Sequence, residues 1–173
     1  MTQELVDLRK SILEGRYTDA LEIVDELEGM SKQAILRNIQ SYLRVLLIHL
    51  MKNQVEQRLT SSWATSIRNS LREIKKLNMK DNKTSYYVNM EEWESLIEEE
   101  VIEDAIADAS EEVLNGVYSQ FQLAEIINKS QIIETALRFL HLIYSHSTKS
   151  LPTATAEMLM QLPGGEDWIN RKN

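Results

Sequence analysis

A length of 173 residues allows one domain with a sizeable core, and 43% hydrophobic against 27% charged residues places the chain with globular rather than disordered proteins. The net charge of −8 disfavours nonspecific binding of nucleic acid or of an anionic membrane by the molecule as a whole. With no cysteine there is no disulfide, thiolate catalysis or cysteine-based zinc site, and five glycines with two prolines predict helices joined by short connections.

Leu5, Leu8 and Ile12 share one face of a first helix, Thr2 to Glu14, stopped at Gly15. A second helix is expected from Thr18, its N-cap, with Ala20, Val24 and Leu27 facing inward and Gly29 ending it. Ser31 then caps a long central helix to Gln57. Ile35, Ile39, Tyr42, Leu43, Leu46, Leu50 and Met51 recur there at helical spacing, with Leu36, Leu47 and Ile48 on other faces. A helix that is apolar most of the way round is buried, so the others should pack against this one. A fourth helix opens at Thr60 to Ser62 with the stripe Trp63, Ile67, Leu71, Ile74 and Leu77, and Met79 to Val88 reads as a loop.

Asn89, with Glu92 three residues on, caps a fifth helix whose stripe is Trp93, Ile97, Val101, Ala105, Ala109 and Val113, closed at Gly116. Two further helices follow, Gln120–Asn128 and Gln131–Ser145. Beyond His146 the chain turns polar around Pro152 and Pro163-Gly164-Gly165, with one short helix-like stretch, Ala154 to Leu162. The apolar Met158, Leu159, Met160, Leu162 and Trp168 are expected to pack back onto the bundle, with a partner or self-association contact as the alternative. The expected fold is therefore an all-α helical bundle of about five core helices, two further C-terminal helices and a flexible tail. In domain terms, residues 1–145 form one helical domain (core 1–117, addition 118–145) and 146–173 a loosely packed tail.

Three blocks, Asp25 to Glu28 (Asp-Glu-Leu-Glu), Leu43 to Lys52 (Leu-Arg-Val-Leu-Leu-Ile-His-Leu-Met-Lys) and Ser62 to Ile67 (Ser-Trp-Ala-Thr-Ser-Ile), fall in an order and spacing that resembles the domain of unknown function 29 family. That family occurs mostly in cyanobacteria and other bacteria. The likeness covers about residues 19–108, and residues 118–173 look like an addition. Ser31 stands where the family commonly has Gly, and Asn53 where Trp often follows the lysine. The resemblance implies an all-helical fold and no established activity.

His49 is the first candidate for chemistry, as the usual base and metal ligand near neutral pH. Glu22, Asp25 and Glu26 on a preceding antiparallel helix are its candidate metal partners, and Glu26 and Arg44 its candidate catalytic partners. Against this, the Glu-x-x-His pattern of dinuclear sites is missing, since Leu46 precedes His49 by three, and Arg44 lies about 140° round the helix. The plainer expectation pairs Arg44 with Glu26 or Asp25 and hydrogen-bonds His49 within the core, to Asn53. Ser62 lacks the elbow glycines of a nucleophile, and no phosphate loop, zincin or dinucleotide motif is present. No cofactor is expected.

Charge is the sharpest pattern. Arg68, Arg72, Lys75, Lys76, Lys80 and Lys83 form a basic run; eleven acids from Glu91 to Glu112 follow without one basic residue. Antiparallel packing of the two helices, flank against flank, would pair them. The acidic helix (Glu98, Glu99, Glu103, Asp104, Asp108) and Trp168 of the tail are also the expected interaction surface for a protein partner or for self-association. Arg68, Arg72, Lys75 and Lys76 are the weaker candidate for phosphate contacts. Residues 1–30 lack the apolar segment of a signal peptide, and the run Val45 to Met51 is too short to span a bilayer, so the expected compartment is the cytoplasm. The leading functional expectation is a noncatalytic interaction or scaffolding protein; the alternative is an enzyme or metal-binding protein centred on His49.

Overall fold

In a computed structural model, which describes residues 2–171, the protein is all-helical, with no strand among those residues. It divides into two compact units, Met1–Asn38 and Ile39–Asn173.

The first unit holds α1 (Gln3–Leu13) and the opening turns of α2 (Tyr17–Glu56). Gly15, at φ +73°, makes the turn between them, and Arg16 holds it by bonding Glu14 at 2.9 Å and Asp19 at 3.0 Å. The expected break at Gly29–Ser31 does not occur, and α2 runs on through it. Gly29 keeps a negative φ, no proline follows, and neighbours such as Glu26, Leu27, Glu28 and Met30 are good helix formers. One glycine costs a helix only about 1 kcal/mol, too little to stop it without a left-handed residue.

The second unit carries the core. Leu43, Leu46, Leu47 and Met51 of α2 are wholly buried, together with Ile67, Leu71 and Ile74 of α3 (Ser61–Asn78). Thr60 starts α3 by accepting from the Trp63 amide at 3.0 Å. The ten-residue connection that follows is more ordered than its polarity suggests. Met79 and Tyr86 bridge antiparallel, and buried Asn78 bonds Val88 twice, donating to its carbonyl and accepting from its amide. Tyr144 closes the same network: its hydroxyl accepts from Trp93 Nε1 at 2.6 Å and from Asn78, and donates to Val88 O. Burial, the largest influence, pushes the Tyr144 hydroxyl up to about 12, so it stays a donor at any ordinary pH.

The acidic element is segmented. A 3-10 turn (Met90–Glu92) leads into α4 (Trp93–Leu96), a π turn (Ile97–Val101) and α5 (Ile102–Ser110). Asn89 opens it as expected, its amide donating to Glu92 Oε1 at 2.9 Å. The stripe from Trp93 to Val113 repeats every four residues, and on a 3.6-residue helix such a stripe drifts about 40° per step. The wider π turn takes up part of that drift, and all six positions are buried. α5 ends at Ser110, short of Gly116, in a turn where Leu114, Asn115 and Gly116 all have positive φ.

α6 (Gln120–Ile126) packs on α5, and α7 (Lys129–Ser145) packs on α3, α4 and α8 (Leu151–Leu159), which also meets α3. The expected loose tail is instead folded. Leu151, Thr155 and Leu159 of α8 are buried, as is Trp168 of α9 (Gly165–Ile169). Asn53 Nδ2 donates to Pro163 O at 2.8 Å, and Gly164, at φ +74°, lies so close to Arg58 that a Cβ there would sit 2.7 Å from its Cα. Leu151, Thr155 and Leu159 lie four apart, which is enough for a one-sided short helix among polar neighbours.

Candidate functional site

His49 lies on α2, partly buried in the second unit, and its Nδ1 is shielded without a hydrogen-bond partner. Asn53, the partner expected for it, is occupied by the carbonyls of Arg58 and Pro163. Burial, then the positive charge of Lys52, pull the imidazole down to about 4, against a smaller opposing pull from Glu112. Neutral His49 keeps a shielded, unpartnered ring nitrogen near the buried Lys52. Lys52 itself pairs with Glu112 at 3.1 Å and sits 4.8 Å from the centre of the Trp63 ring, whose ring also receives Arg58.

The carboxylates nominated as partners of His49 do not come from a neighbouring antiparallel helix. Glu22, Asp25 and Glu26 belong to α2 itself, about six turns or more ahead of His49. Arg44 pairs neither with Glu26 nor with Asp25; its Nε reaches Asp108 Oδ2 at 3.3 Å. Among the described residues no group of three His, Asp or Glu side chains is placed to hold a metal ion.

The basic run is not matched to the acidic one. Arg72 and Lys76 turn to Glu73 on their own helix, and Lys75 donates to Ile143 O at 2.7 Å, capping the carbonyl end of α7. Arg68 is exposed. α3 packs on α7 and α8, and its Lys75 reaches α7 rather than the acidic element. The acids find other partners: Glu103 takes Lys129 at 3.2 Å, Asp108 takes Arg44 and Glu112 takes Lys52. Among the described residues no cation pairs with Glu94, Glu98, Glu99 or Asp104.

What the structure brings together is a groove of about 460 Å³ between the acidic element and α7. Glu94, Glu98, Glu103 and Glu134 rim it, with Lys129 and Ser130 at one side and Ile102, Ile133 and Leu137 beneath. Glu98 and Glu103 are five residues apart, about 140° on an α-helix; Glu98 lies within the wider π turn, which narrows that angle. The opposite wall comes from α7, where Glu134 contributes an acid that the charge run did not include. Glu99 and Asp104 are exposed but do not line the groove, and Trp168, a buried residue of α9, is not an open surface. Hydrogen-bonding acceptors over an apolar floor suit a ligand that is cationic and partly apolar.

Fold and groove together define an all-helical protein that carries a carboxylate-rimmed cleft. No helix among the described residues is long and apolar enough to cross a membrane. The chain belongs to the family described as Domain of unknown function DUF29, whose model matches residues 15–135. That span continues through α6 and the first half of α7, so residues 118–135 are family sequence and not an addition. No curated protein and no solved structure matches the chain.

Proposed function

We propose that the protein is a noncatalytic interaction module whose groove between the acidic element and α7 receives a basic segment of a partner protein. The observation that carries this reading is the pairing of unneutralised carboxylates (Glu94, Glu98, Glu134) with an apolar floor (Ile102, Ile133, Leu137) in one cleft. A lysine or arginine laid across it would bury its methylene stem on the floor and keep its charge at the acidic rim. Such an arrangement selects partners by charge and speeds their encounter.

Two carboxylates sit on the segmented acidic element and one on α7, so the cleft depends on their packing rather than on a linear motif. The test is isothermal titration with a lysine- and leucine-containing peptide, compared with its glutamate-substituted counterpart. Binding to the basic peptide should weaken as salt rises and fall at least about tenfold in Glu98→Lys/Glu134→Lys, the scale of a lost interfacial charge contact. Equal binding of both peptides, or full retention by the double variant, would refute the assignment.

A further inference from the structure

The first unit shows a second, separate feature. Among its described residues it buries only Ser11 and Ala20 well, yet exposes Leu5, Val6, Ile12 and Leu13 of α1 and Tyr17, Leu21 and Met30 of α2. Leu13, Tyr17 and Leu21 are 76%, 66% and 64% exposed. Two short runs of helix with so little covered surface lack a core of their own, and contiguous apolar exposure of this kind marks a contact surface.

The two faces are complementary to each other in charge. On α1, Val6 and Leu13 lie on one side with Arg9 and Lys10, and these four with Glu14 line a shallow groove. On α2, Tyr17, Leu21 and Val24 follow at steps of four and three, flanked by Asp25 and Glu28, both exposed. From Asp19 to Glu28 the segment carries five acids and no base, of which Asp25 and Glu28 lie on or beside that face. The cationic apolar strip of α1 therefore fits the anionic apolar strip of α2. We infer that the first unit is a self-association surface, on which α1 of one copy docks against the opening turns of α2 in a second copy, and reciprocally. Reciprocal docking of the same two patches closes a two-fold dimer. An anionic lipid surface fits poorly, because residues 1–38 carry eight acids against five bases.

Sedimentation equilibrium on the full chain tests this. The protein should be a dimer that dissociates on dilution, and Leu13→Glu or Leu21→Glu should weaken it at least about tenfold. Arg9→Glu/Lys10→Glu and Asp25→Lys/Glu28→Lys should each be monomeric alone. Mixed, they should restore a heterodimer, because each acidic α1 then meets a basic α2 and each basic α1 an acidic α2. Far-ultraviolet circular dichroism monitors helix content in every variant. Trp63, Trp93 and Trp168 all lie in the second unit and report its integrity separately. A monomer at all concentrations, a dimer indifferent to both charge reversals, or a mixture that fails to pair would overturn the inference.

Discussion

His49 shows how one residue can be prominent in sequence and acquire its character only from packing. Its shielded Nδ1 lacks a partner, and burial with Lys52 nearby holds its pKa near 4, below the usual 6.5. Between those values the unfolded chain binds a proton that the folded chain refuses. Stability should therefore fall as pH drops from about 6.5 to about 4, with no further change from this group below that. Discounted for partial exposure, the loss amounts to about 1–3 kcal/mol. Replacing the imidazole by an apolar side chain, His49→Leu, should flatten this slope in denaturant unfolding compared at neutral pH and near pH 5. An unchanged slope would show that the acid sensitivity belongs to another group. The sequence marks His49 correctly as apolar-flanked, but it cannot show that Asn53 is taken by the Arg58 and Pro163 carbonyls.

At the scale of elements, helical periodicity locates most of the helical segments because the apolar steps of three and four are a direct imprint of the helix repeat. Thr60 and Asn89 are readable as starts for the same local reason. The boundaries that differ from expectation come from glycine and from helix type. Gly29 sits in a helical conformation with no atom within 4 Å of the place an added methyl would occupy, so Gly29→Ala should raise stability or helicity by about 0.5–1 kcal/mol. Circular dichroism melting checks this; a loss would place a real break at that point. The π turn leaves no mark of its own in the sequence, because a stripe repeating every four residues is compatible with a drifting α-helix until a neighbour demands that it stay in phase. Glu98 lies within that turn and Glu103 just beyond it, and both line the groove.

For the whole molecule, the C-terminal segment matters most. The chain after His146 is polar enough to suggest detachment, yet Leu151, Thr155, Leu159 and Trp168 are buried and Asn53 is tied to Pro163. Deleting residues 146–173 should therefore destabilise the second unit strongly, by more than the roughly 2–5 kcal/mol typical of a single large-to-small core substitution. Loss of a cooperative tryptophan-fluorescence transition, read from Trp63 and Trp93, is the expected result, and an unaltered transition would restore the picture of a dispensable tail. The charge layout likewise belongs to this scale. Arg44, Lys52 and Lys129 take acids from the run that the α3 cations leave alone, because α3 packs on α7 and α8.

The helical class, the buried middle of α2, the caps at Thr60 and Asn89 and the DUF29 resemblance all follow from residue order, since periodicity, capping chemistry and sequence blocks are local properties. Which carboxylates share a cleft, which cations they meet, and whether a polar segment is docked are settled by contacts between distant parts of the chain. Glu134 joins Glu94 and Glu98 only because α7 packs beside the acidic element, and no spacing along the sequence carries that distance.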